Sequence, residues 1–96
     1  MDINKYALFV DVAETRNFTK TGERMGYTQP GVSHILKSME AELGFPLFIR
    51  TRHGISLTSN AEAILPIVRN MLSILLFFLL YAFLGYISFP RHLHGT

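Results

Sequence analysis

The sequence predicts a mainly helical fold: three short helices, a small two-stranded wing, and then a C-terminal hydrophobic helix. Three observations carry this. Apolar residues recur at three-and-four spacing from Ile3 to Leu43, the period shortens to that of strands between Phe45 and Leu57, and from Met71 onward the chain becomes almost wholly apolar. With 96 residues there is room for one small domain, and the absence of cysteine leaves neither disulfides nor thiolate metal sites to supplement its core.

In the first helix Ile3, Tyr6, Phe9, Val10 and Ala13 share one face. Asn17-Phe18-Thr19 interrupts the pattern, with Phe18 expected as a buried plug and Thr19 as the cap of a second helix running to about Met25. Gly26 suits a left-handed terminator, because it carries no Cβ. Thr28 is placed to cap the third helix, and Pro30 sits in its first turn, where a missing N–H costs nothing. Val32, Ile35, Leu36, Met39 and Leu43 form its inward stripe, and the helix stops at Gly44. Gln29, Ser33 and Lys37 fall on the opposite face, with His34 at the edge.

Phe45 to Arg50 and Ile55 to Leu57 read as the two strands of the wing, around Thr51-Arg52-His53-Gly54. Ser59 and Glu62 have capping-box spacing for the next helix, and Pro66 inside it should bend it by removing one hydrogen bond. The domain therefore spans 1–58, a linker helix begins over 59–70, a hydrophobic helix covers 71–90, and a short polar tail covers 91–96.

A net charge of +2 says less than its distribution. Arg16, Lys20, Arg24 and Lys37 face only Glu23 between Thr15 and Lys37, and Arg50, Arg52 and His53 follow as a cluster. A helix that presents Gln, Ser and His at its N-terminal end, braced by a preceding helix, suits the edges of base pairs in a DNA groove. The helix starts at Thr19 and Thr28 offer backbone N–H groups to phosphates, and Lys37, Arg50 and Arg52 offer charge to them. His34 reads as a neighbour of phosphate. Catalysis is disfavoured. Ser33 and His34 diverge by about 100° on a helix, so they do not form a nucleophile and base pair. There is no glycine-rich phosphate loop, and His92 and His94 lack companion ligands, so no cofactor or metal is expected. Met1-Asp2-Ile3-Asn4-Lys5 does not read as the start of a signal peptide.

In order and spacing, Phe9-Val10, Asn17-Phe18-Thr19, Thr28 to Ser33, Ile35, Met39-Glu40, Leu43-Gly44, Leu47-Phe48, Arg50, Arg52 and Leu57-Thr58 resemble the N-terminal DNA-binding domain of LysR-type transcriptional regulators. The resemblance covers roughly residues 1 to 69. It implies a winged helix-turn-helix that regulates transcription, pairs as a homodimer through the helix from Ser59, and binds a partly palindromic site in double-stranded DNA. Gln29, Pro30 and Ser33 would then approach the major groove, and Arg50 and Arg52 the backbone near the wing. The chain departs from the family pattern at Thr21-Gly22, where two alanines are usual. A glycine inside a helix costs about 1 kcal/mol relative to alanine, so a softer second helix is expected. Gly31 also replaces the usual alanine before Val32, and Asn60-Ala61-Glu62 lacks the glycine usual after the wing.

The family pattern would continue after Asn70 as an amphipathic linker helix and an effector-binding domain. Here 26 residues follow, with no charge before Arg91, so no small-molecule effector is expected. Twelve of the residues from Leu72 to Phe89 are Leu, Ile or Phe. As a helix, 70–90 would span roughly 31 Å, close to a bilayer core, with an insertion energy of roughly −5 kcal/mol before polar corrections. Three readings of this tail stay open: an anchor in the inner membrane over Met71 to Phe89 with a cytoplasmic head, a translated frameshift or gene remnant, and a buried dimerisation helix; the alternative function is a membrane-anchored or non-functional helical peptide with an idle DNA-binding head.

Overall fold

Helix boundaries in this small domain are drawn by single polar side chains and by left-handed residues. The computed structural model describes residues 3–88. Met1, Asp2, Phe89, Pro90 and the polar tail 91–96 with His92 and His94 lie outside the described residues. The order is α1 (Ile3–Thr15), α2 (Phe18–Met25), α3 (Gln29–Leu43), β1 (Phe48–Thr51), β2 (Gly54–Leu57) and α4 (Ser59–Ser88). The expected mainly helical, winged helix-turn-helix architecture is present.

Asn17, not Thr19, caps α2: its side chain accepts a hydrogen bond from the Lys20 N–H at 3.0 Å, and Thr19 lies inside the helix. The asparagine is extended at φ −147°, a cap geometry that spacing alone did not separate from Thr19's. Gly26 ends α2 with φ 83°, and Thr28 caps α3 by accepting from the Gly31 N–H at 3.1 Å, both as expected. The third cap corrects the expected Ser59–Glu62 box. Thr58 Oγ1 accepts from the Ala61 N–H at 3.1 Å and donates to the Pro46 carbonyl at 2.7 Å, so one hydroxyl starts α4 and ties it to the wing.

The core is formed by Leu8, Phe9, Val12, Phe18, Val32, Leu36, Met39, Leu47, Ala61 and Val68. The buried face of α1 is centred on Leu8, Phe9, Val12 and Ala13, rotated from the expected stripe. Ile3 is exposed and Tyr6 and Val10 are half-buried, while α2, α3 and α4 all contact α1 and together decide which of its residues are covered. The α3 stripe holds, with Val32, Leu36 and Met39 buried. Gly22 proves to be a packing residue more than a soft spot. A methyl group there would collide with the Tyr27 carbonyl oxygen, and the Tyr27 N–H donates to the Gly22 carbonyl at 2.8 Å, so the turn into α3 closes directly over it.

The wing is shorter than expected, with Phe45 to Leu47 outside it. Its antiparallel register pairs Phe48 with Leu57, Ile49 with Ser56, Arg50 with Ile55 and Thr51 with Gly54. Phe48 packs its ring on Phe9 and Phe18, with centroids 5.7 and 6.0 Å apart, and so fixes the hairpin to the helices. Pro66 does not interrupt α4, which runs unbroken from Ser59 to Ser88 along the full junction between the expected linker and hydrophobic segments. Pro66 lies on the exposed side, as does Glu62, whose carbonyl loses its helical partner to the proline.

Candidate nucleic-acid interface

The N-terminal half of α3 and strand β1 face each other across an open groove. Because strand side chains alternate, Phe48 and Arg50 point to the same side. Phe48 enters the core, and Arg50, two residues on, stays at the surface with its guanidinium carbon 4.5 Å from the centroid of the Phe18 ring. This stacking holds a flexible cation at a defined place beside α3. Gln29, Pro30, Ser33, His34, Lys37 and Arg50 then line one open groove. Six of the nine residues singled out from the sequence thus converge on one surface.

A second groove, sharing Gln29 and Arg50 with the first, is lined by Arg16, Asn17, Phe18, Thr19, Thr51 and Gly54. It places Thr19 near the N-terminus of α2, whose unpaired backbone N–H groups favour an anion. Thr28 serves as the α3 cap. Arg52 stands apart from these, exposed in the turn at the wing tip.

Two side chains of this region were not singled out. Arg16 has a left-handed backbone, φ 55°, unusual for a residue with a Cβ. Its Nε donates to the Ala13 carbonyl at 2.8 Å and its Nη1 to the Ile55 carbonyl at 3.3 Å, so it closes α1 and braces β2. Asn17 combines the α2 cap with a place in the second groove. The basic residue was visible in the charge pattern, but its bridge to the wing depends on a contact 39 residues away.

Most acids near the helices are engaged by neighbours, and Glu40 lines a further pocket with Ser33, Lys37 and Arg50. Glu40 accepts from the Leu47 N–H at 2.6 Å, Asp11 pairs with Arg24 at 3.4 Å, Glu14 with Arg69 at 3.5 Å, and Glu42 with Lys5. The grooves therefore present Arg16, Lys37 and Arg50 together with neutral donors and acceptors. That combination suits phosphates flanking base edges. Among the described residues no three His, Asp or Glu side chains are grouped as metal ligands.

A family described as bacterial regulatory helix-turn-helix protein, lysR family, matches residues 3–62. The uncharacterised HTH-type transcriptional regulator YvbU of Bacillus subtilis is 44% identical over 73 residues, which cover 75% of this chain and 25% of YvbU. This chain thus spans about a quarter of that relative's length. Among solved structures, the CbnR DNA-binding domain in its complex with DNA is 31% identical with a TM-score of 0.72, over 77% of this chain and 85% of that one. The BenM DNA-binding domain bound to catB site 1 DNA shares the fold over 96% of this chain and 99% of its own, with a TM-score of 0.86 at 23% identity.

Proposed function

The chain belongs to the LysR family of bacterial regulatory helix-turn-helix proteins, and on that premise we propose that it binds a specific double-stranded DNA sequence and regulates transcription from it. The observation that carries this reading is the convergence of Gln29, Ser33, His34, Lys37 and Arg50 on one exposed groove. Gln29 and Ser33 read base edges. Pro30 shapes the approach of the first turn to the major groove. Lys37, Arg50 and Arg52 engage phosphates, as do the helix starts at Thr19 and Thr28, with His34 beside them. CbnR, seen with DNA, supports the same use of the fold here.

Two copies joined through α4 from Ser59 present two such grooves to half-sites about 34 Å apart, one turn of the double helix. Binding rather than catalysis is supported by the chemistry of the grooves, in which the one hydroxyl next to a histidine in sequence, Ser33, sits beside His34 on a single helix. The head works in the bacterial cytoplasm. A second reading, favoured by the exposure of Leu76, Phe77 and Leu80 on α4, holds that head at the inner membrane.

The decisive experiment is selection of bound duplexes from a random DNA pool by the full chain in mild detergent. Enrichment of a motif with two related halves is expected, with affinity that falls steeply as salt rises. A pool that stays unenriched after repeated rounds, at low salt, rejects sequence-specific binding.

A further inference from the structure

Resting on the membrane-held reading of α4, we infer that this helix crosses a lipid bilayer over Met71–Ser88, with the DNA-binding head on the cytoplasmic side and no flexible spacer between the two. No residue of Met71–Ser88 is buried, and α4 holds an 18-residue stretch with a mean hydropathy of 2.2. Exposure runs all the way round. Phe77 and Leu79, two residues apart and therefore on nearly opposite sides of the helix, are 72% and 54% exposed. A second copy of the chain would cover one stripe, such as Leu76, Leu80 and Phe83, and leave Phe78, Leu79 and Ile87 in water. A helix apolar on every side is matched by surroundings that are apolar on every side. Lipid supplies them.

Length and charge fit the same partner. Eighteen helical residues rise about 27 Å, against a hydrocarbon core of about 30 Å, a difference that a bilayer meets by thinning slightly. In sequence the flanking charges are Arg69 before the stretch and Arg91 after it. Arg50, Arg52 and Arg69 precede the span within about 20 residues, and positive charge on that side retains the head in the cytoplasm.

The attachment is stiff. Leu72 lies in a groove with Ala7, Val10 and Met25 of α1 and α2, and Arg69 pairs with Glu14 of α1 at 3.5 Å. The first turn of the span is thus also part of the head, so α1 stands at the membrane surface and the head cannot swing on a tether. The DNA-reading groove, built on α3 and β1, keeps a constant attitude to the bilayer.

The test uses the full chain, which has no native cysteine to confuse labelling. Expressed in bacteria, the chain is expected to float with membranes in a density gradient, to resist alkaline carbonate, and to be released by detergent. In intact cells with a permeabilised outer membrane, an impermeant maleimide should label Ser88→Cys. It should reach Ser38→Cys in the head only after lysis and leave Leu79→Cys unlabelled until detergent is added. The double variant Leu76→Glu, Leu80→Glu should shift the chain from the floating to the soluble fraction with its motif selection retained. A soluble or carbonate-extracted chain, or one that sediments as aggregate instead of floating, overturns membrane attachment. A carbonate-resistant, floating chain whose Ser88→Cys is reached only from the cytoplasmic side overturns the crossing while leaving attachment in place. Motif enrichment in detergent is read separately, so loss of the DNA-binding reading would not be mistaken for either.

Discussion

Two stretches of α4 have similar side chains and opposite surroundings. Between Ala61 and Leu72, the residues Ala61, Ile64, Leu65, Val68 and Leu72 turn toward the head and join its core or pack against it. From Leu76 to Leu84, equally apolar side chains such as Phe77, Phe78, Leu79 and Phe83 are more than half exposed. Hydrophobicity states that a residue requires an apolar partner. Whether the domain itself supplies that partner depends on where the other helices end.

The comparison can be broken most forcefully through the core. Leu36→Ala removes a buried side chain of α3, and a loss of about 2–5 kcal/mol is expected in denaturant unfolding of the head followed by circular dichroism in detergent. Leu79→Ala should change that same transition by less than about 0.5 kcal/mol, since it empties nothing within the head. Comparable losses from both would show that the two stretches of α4 are one structural unit.

The grooves allow a second, smaller test. Gln29→Ala should reduce discrimination between the selected site and random DNA by about 1–3 kcal/mol. Arg50→Ala should weaken both alike and lower the salt slope by about 1. Competition binding across a salt series separates these outcomes, and equal effects from the two variants would remove the division between base reading and phosphate contact.

Caps give the next increment. Asn17→Ala should cost about 1 kcal/mol of head stability, whereas Thr19→Ala should leave stability nearly unchanged and weaken DNA binding, as measured by melting and by competition binding. A small effect is also expected at the junction of the two stretches. Glu14→Gln removes the partner of Arg69 from a pair that is about half exposed on both sides, and the change in denaturant midpoint should correspond to less than about 1 kcal/mol.

Much of the head was legible because its signals are local. Gly26 and Gly44 end their helices, Thr28 caps α3, and Val32, Leu36 and Met39 recur at helical spacing, all within a few residues of the feature they specify. Gln29, Pro30, Ser33, His34 and Lys37 share a face for the same reason, and a helix carries that face wherever it goes. Arg50 lines the same groove from its position after the third helix. Its stacking on Phe18, however, follows only once Phe48 has fixed the hairpin in the core. The errors were equally physical. Asn17 and Thr19 are both competent caps, and the backbone path decides between them. The α1 face was misplaced by part of a turn because three other helices, invisible to its own periodicity, choose which side is covered.

The sequence by itself determined the helix limits set by Gly26, Thr28 and Gly44, the polar face of α3, and the uncharged apolar composition of the end of α4, since each follows from steric, hydrogen-bonding or solvation properties of the residues concerned. The tertiary structure alone decided that Arg16 bridges α1 to β2, that Thr58 ties α4 to the wing, that Gly22 lies beneath the turn into α3, and that α4 passes Pro66 unbroken. Those outcomes depend on contacts between residues distant in the chain, whose geometry exists only after the helices have packed.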